Sequence, residues 1–449
     1  MPKIAFMGAG STVFARNVLG DCMCRESLRD SDIALYDINA ERLKESEKIL
    51  NVLNNNINGG RARIRCHLGE KNRRKALKGA DFVVNAIQVG GYEPSTVIDF
   101  EIPKKYGLRQ TIADTLGIGG IFRALRTIPV MLDFARDMED VCPGAWFLNY
   151  TNPMAMLTGA MLRGSSVKTV GLCHSVQVCA RTLLESLGRY DWQKDQDRDI
   201  RFKIAGINHM AWLLEISENG RDLYPELRAL ARKEVPKMRK AEKDKSGNII
   251  RLEIMNKFGY YVTESSEHNA EYMPYWIKSR YPEFIKEFNI PLDEYPRRCV
   301  NQINGWKKQY KEICEDPHLT HTLSHEYGSG IMNAIVTNEP FQFGGNVLNH
   351  GFITNLPANA VVEVPCFADA NGVQGTYVGD LPTQCAALNM TNINVQLLTI
   401  EAALTLKKEA IYHAALLDPH TSSELSIDDT IAMCNDLIKA HGDMLPKYQ

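Results

Sequence analysis

Cys173 and His174 in Gly171-Leu172-Cys173-His174-Ser175, and His209 in Gly206-Ile207-Asn208-His209-Met210, are the residues of this chain best suited to chemistry. A thiolate and an imidazole, Cys173 with His209, suit a borderline divalent ion, with Mn²⁺ tolerated where substrate hydroxyls supply hard ligands. Upstream, the apolar run Lys3-Ile4-Ala5-Phe6-Met7 enters Gly8-Ala9-Gly10-Ser11-Thr12, which carries the first two glycines of a dinucleotide fingerprint. One glycine permits the tight turn, and the other lets backbone amides approach a pyrophosphate at a helix start. Val13 stands where the third glycine belongs, so the turn alone is a weak signal. Asp37 strengthens it: an acid ending the second strand would bond a ribose diol and repel a 2′-phosphate, which favours NAD over NADP. A metal pair beside a nucleotide entry points to metal-assisted redox chemistry on a small molecule.

These residues need a scaffold that brings loop ends together. Short runs at 3–7, 32–37, 64–67, 80–86, 146–150 and 169–172 read as strands, those at 3–7, 32–37 and 80–86 as buried ones, and 13–28, 41–53, 121–138 and 153–162 read as helices between them. That alternation predicts an α/β fold with a doubly wound parallel sheet. In such sheets ligands bind beyond the carboxyl ends of the strands, where Cys173, Asn152, Asp114 and the Gln88-Val89-Gly90-Gly91 turn all fall. Past residue 200 the pattern loosens into charged helices, such as 225–245, and strand-like pieces, such as 360–364. A nucleotide-binding domain over 1–195 and an α+β substrate and metal domain over 196–449 follow. His318, His321 and His325 could share a helix face, but the neighbouring Glu326 lies outside the pair where a zinc helix needs it inside, so a structural or substrate-lining segment is expected there.

Composition narrows the class. The 449 residues are 44% hydrophobic and 24% charged with a net charge of -2, so a core can form while no basic face for nucleic acid appears. Eleven scattered cysteines fit a reducing compartment better than a disulfide framework, and no apolar stretch reaches membrane-spanning length. A cytoplasmic enzyme acting on a small molecule is expected, with neither nucleic acid nor membrane as partner.

Taken in order, Gly8-Ala9-Gly10-Ser11-Thr12, Gly90-Gly91-Tyr92, Asp114-Thr115-Leu116-Gly117-Ile118-Gly119-Gly120, Asn149-Tyr150-Thr151-Asn152-Pro153, Gly171-Leu172-Cys173-His174 and Gly206-Ile207-Asn208-His209 resemble glycoside hydrolase family 4. This NAD-dependent family is an exception to the two-carboxylate glycosidases. Within it, the segments 111–117, 171–175 and 265–272 are most similar to the α-galactosidases that act on melibiose. The resemblance implies a Rossmann-like domain of the lactate and malate dehydrogenase kind, a Mn²⁺ ion on Cys173 and His209, and Asn152 on the sugar. It implies cofactor contacts from Gly8, Gly10, Ser11, Thr12, Asp37, Gln88 and Asn149, and a fainter substrate role for Arg297. The implied chemistry is redox elimination: hydride leaves sugar C3 for NAD⁺, C2–H becomes acidic, the C1–O bond is expelled, and water and hydride return. In the maltose-phosphate-cleaving branch an Asp follows the metal-binding Cys; here His174 stands there, and the acid role passes to an imidazole. That branch has a Tyr base in the segment matching 264–272, where this chain offers His268 and Tyr272, and Asp114 completes the catalytic candidates. A homodimer or homotetramer is expected.

Three other functions compete. An α-glucosidase or a uronidase of the same family differs in the sugar, and a uronidase needs a cation at the C6 carboxylate. A plain NAD-dependent 2-hydroxy acid dehydrogenase would need no ion. A non-catalytic NAD-binding regulator leaves the Cys173 and His209 pair without a use.

Overall fold

The computed structural model describes residues 1–243 and 246–449. Six strands, β1 (Lys3–Met7), β2 (Asp32–Asp37), β3 (Arg63–Leu68), β4 (Phe82–Asn85), β5 (Trp146–Asn149) and β6 (Lys168–Leu172), pair in parallel in the order 3-2-1-4-5-6, with the half-exposed β3 at the edge. That is the doubly wound order of a dinucleotide-binding sheet. Helices on both faces explain why β1 and β4 read as unbroken apolar runs.

The sheet does not stop at β6. The remaining strands are β7 (Ile200–Ile207), β8 (Met210–Glu218), β9 (Arg221–Asp222), β10 (Tyr261–Val262), β11 (Phe341–Leu348), β12 (Val361–Asp369) and β13 (Gly372–Gly375). β11 lies antiparallel to β6, and β12, β7, β8 and β10 follow, each antiparallel to its neighbour. One sheet thus carries both the parallel half and the antiparallel strands, with helices such as Thr383–Thr405 packed over the junction.

Several helices differ from expectation in their ends, for physical reasons. The helix expected over 121–138 runs Gly117–Val141, starting where the extended Leu116 ends, and Gly119 and Gly120 in its first turn let it pack against Ala113 and Thr115 more closely than a Cβ would allow. The second helix runs Ala40–Asn58, opened by the Asn39 side chain accepting from the Arg42 amide and closed by left-handed Gly59. The first ends at Cys24 rather than residue 28, as Arg25 turns extended and its guanidinium reaches Ser329. The helix expected over 225–245 is Tyr224–Lys240, and the last two residues of that expectation lie outside the described residues. Residues 318–325 form no helix, so the three histidines share no helix face. His321 instead bonds Asp21 at 2.7 Å, a structural tie between a loop and the first helix. No helix among the described residues is long and apolar enough to cross a membrane.

Candidate active site

Cys173 leaves the end of β6, and His209 sits in the two-residue turn between β7 and β8, where the Asn208–His209 peptide is cis. Although β11 and β12 stand between β6 and β7, the donor atoms of Cys173, His209 and Glu264 all lie within 4.8 Å of one another. Glu264 follows the short strand β10 and adopts φ 65°, the left-handed region that a non-glycine residue enters only when its surroundings hold it there. Its carboxylate is 3.7 Å from His209 Nε2. The other ring nitrogen, Nδ1, is 3.4 Å from the Tyr272 hydroxyl, and a proton kept there leaves the Nε2 lone pair for a metal.

The electrostatics agree with a cation site. Burial opposes a charge on His209, yet Cys173 and Glu264 outweigh burial and push the imidazole up to about 10. Two groups that draw a proton so strongly present the same negative field to a divalent ion. One soft sulfur, one imidazole and one carboxylate also form a donor set open to further oxygen ligands. The residues therefore fit a borderline metal.

Around this cluster stand the acid and base candidates. The buried His268 ring packs edge-on against His209 at 5.3 Å, with Ser265 Oγ at 2.7 Å from its Nδ1 and Asp114 at 3.8 Å from its Nε2. Burial lowers the His268 imidazole below its ordinary value. Asp114 is held low: burial would raise it, but Arg123, His268 and His209 prevail. Asn152 donates to Asp114 at 3.3 Å, while its buried Oδ1 has no partner among the described residues, an acceptor suited to a sugar hydroxyl. Burial pushes the Tyr272 phenol well above its usual range. His174 faces outward with its Nε2 2.7 Å from Glu326, a hydrogen bond that raises the imidazole.

Past the carboxyl end of the central strand β1, Gly8 has φ +86°, and a Cβ there would meet the Ala86 carbonyl oxygen at 2.7 Å. The amides of Gly8 and Ala9 bond Tyr36, and that of Gly10 bonds the Asp37 carboxylate at 2.7 Å. The amides that a helix start leaves free are therefore those of Thr12, Val13 and Phe14, beyond Ser11. Val13, in place of the third glycine, is 36% exposed, so its bulk points away from the sheet. Gln88 is exposed past the end of β4. Asn149 is fully buried, bonded to Asn85 and Thr151, and Thr151 in turn bonds the Ile87 carbonyl; its side chain braces the loop that carries Gln88.

Cys173, His209, His268, Tyr272, Asp114 and Asn152 converge, whereas Arg297 pairs with Glu294 on an exposed helix face. Glu264, Glu326 and Arg123 were not singled out by sequence reasoning. A signal existed for Glu264, an acid one residue beyond the apolar pair Tyr261-Val262, but a two-residue strand is too short to register as periodicity.

Comparison with known proteins agrees with this geometry. Residues 3–189 match the family 4 glycosyl hydrolases and residues 204–421 match the C-terminal domain of that family. The chain is 60% identical to an alpha-galactosidase of Bacillus subtilis over the full length of both, and 34% identical to an alpha-galactosidase of Rhizobium meliloti over 99% of this chain and 89% of that one. A 6-phospho-alpha-glucosidase from gut microorganisms, solved in complex with NAD and Mn²⁺, superimposes with a TM-score of 0.80 at 20% identity, covering all of both chains. With a cofactor turn, a three-donor cluster and family matches over both halves, the chain belongs to family 4 of the glycosyl hydrolases.

Proposed function

We propose that this protein hydrolyses terminal α-galactosides of the melibiose type, using NAD and Mn²⁺. The observation that carries the proposal is the convergence of Cys173, His209 and Glu264 with His268, Asp114 and Asn152 in a chain similar throughout to alpha-galactosidases. When bound, the nucleotide supplies a hydride acceptor and the ion a Lewis acid for sugar oxygens.

The chain's own residues divide the remaining work. Cys173, His209 and Glu264 hold the ion, and Tyr272 fixes the ring of His209 through Nδ1. The free amides after Ser11 receive the pyrophosphate, and Asp37 shapes the turn by holding the Gly10 amide. Asn152 offers its unpartnered Oδ1 to a sugar hydroxyl. His268 is the base for the proton at C2, because its Nδ1 is fixed by Ser265 and its Nε2 lies 3.8 Å from Asp114, beside Asn152. His174, exposed and steadied by Glu326, delivers the proton to the departing oxygen at C1. Eleven free cysteines and a thiolate ligand support a working place in the reducing cytoplasm. Assembly as a homodimer or homotetramer belongs to the same reading, supported by apolar Val300 and Ile303 exposed on one helix.

Turnover of a nitrophenyl α-galactoside should need both Mn²⁺ and NAD⁺, be helped by a thiol reductant, and in D₂O leave deuterium at C2 of the released sugar. Full activity after chelation and nucleotide removal would overturn the proposal.

A further inference from the structure

Four register partners form one row across the junction of the sheet: Gly171 on β6, Asn346 on β11, Glu363 on β12 and Gly206 on β7. The row joins the two metal-bearing segments, since Gly171 lies two residues before Cys173 and Gly206 three before His209. Its middle is polar and fully buried. Asn346 Nδ2 donates to the Gly171 carbonyl at 3.3 Å and to Glu363 Oε1 at 3.1 Å, and Asn208 Nδ2 donates to the same Oε1 at 3.2 Å. Asn208, Asn346 and Glu363 are each at most 1% exposed. The end of the row has no room for more: a Cβ on Gly171 would lie 2.9 Å from the Asn346 Cβ.

A buried carboxylate among apolar strands costs stability unless it is used. Packing alone would be served better by a leucine. We infer that Glu363 is a positioning residue of the metal centre: its Oε1, gripped by Asn346 from the Cys173 side and by Asn208 from the His209 side, sets the separation of the two ligands. Groups that orient metal ligands from behind govern affinity almost as strongly as the ligands do. The bridge uses only Oε1, and Glu363 Oε2 has no partner among the described residues. The requirement is thus for an acceptor in place, which a glutamine can also provide.

The inference rests on the metal reading of Cys173 and His209, so the experiment separates the two. Co²⁺ is titrated into the reduced full-length protein, and the sulfur-to-cobalt charge-transfer band and the Kd are read with NAD affinity and thermal midpoint. Parent protein should show the band and Cys173→Ser should lose it; absence of the band in the parent overturns the metal reading and this inference with it. Glu363→Leu and, independently, Asn346→Ala should weaken Co²⁺ roughly 10- to 100-fold and shift the band, with NAD affinity unchanged. Glu363→Gln should restore affinity to within a few-fold of the parent. Should Glu363→Leu fail to fold, Asn346→Ala and Glu363→Gln decide. If Asn346→Ala binds Co²⁺ as tightly as the parent, or Glu363→Gln is as weak as the most weakened variant, no amide bridge sets the ligands.

Discussion

Ala113 and Glu264 are non-glycine residues held in left-handed backbone, at φ 50° and 65°, and both stand at site carboxylates: one precedes Asp114, the other is itself a donor. Such a conformation costs about 1–3 kcal/mol and persists where the surroundings impose it. At Glu264 the strain and the ligand coincide, so Glu264→Gly should move two quantities apart. The metal-free thermal midpoint should change little, since relief of the backbone strain offsets loss of the Glu264–His209 pairing, while Mn²⁺ affinity should fall by at least about tenfold. Scanning fluorimetry with and without Mn²⁺ reads both, and unchanged Mn²⁺ affinity would remove Glu264 from the donor set. Gly10 allows a matching test of the nucleotide entry. A Cβ there would lie 2.8 Å from Asp37 Oδ2, so Gly10→Ala should displace that carboxylate and weaken NAD at least about tenfold without altering the Mn²⁺ titration.

At the scale of elements, the loop that carries Asp114 is held from behind by the helix Ser266–Tyr272. The Glu271 carboxylate accepts the amides of Thr111 and Ala113 at 2.8 and 2.7 Å, and Thr111 Oγ1 donates to the Glu267 carbonyl. Glu271→Gln would turn an N–H against those amides, at a cost of about 1–3 kcal/mol. A lower thermal midpoint and a kcat reduced at least about tenfold should appear together. The same stretch is tied by His420, whose Nε2 is 2.7 Å from the Arg109 carbonyl. Burial lowers the His420 imidazole, which is neutral in the fold and takes up a proton more readily when unfolded. Its contribution is present above about pH 6.5 and is lost as pH falls through the lowered folded value. The thermal midpoint should therefore fall on acidification below about pH 6.5, and less steeply in His420→Gln. The sequence made the parallel strands legible because burial on both faces leaves unbroken apolar runs. Cys173, His209 and Asn152 were legible by lying where those runs end or turn. Glu264, Glu326 and Glu363 were not: each gains its role from a partner 55 to 155 positions away, a pairing that no periodicity records.

At the scale of the whole molecule, the unbroken path from β3 to β10 joins the two halves matched by the family in one sheet. Unfolding should follow one cooperative transition seen alike by tryptophan fluorescence and far-UV circular dichroism. NAD should raise the midpoint of that whole transition, by about 2.7 kcal/mol of stability at a hundredfold excess over Kd. Two separate transitions, with only the first moved by NAD, would show the halves to be independent.

The place where β6 meets β11 also sets a limit on modularity. Gly171 and Leu172 of β6 pair with β11, and that short contact joins the parallel half to the strands behind His209. A chain cut near residue 195 would bare the β6 edge, an unpaired template for aggregation. The six parallel strands are thus not a portable cassette: grafted onto another protein, or expressed alone, they should aggregate for want of the antiparallel strands that complete their sheet.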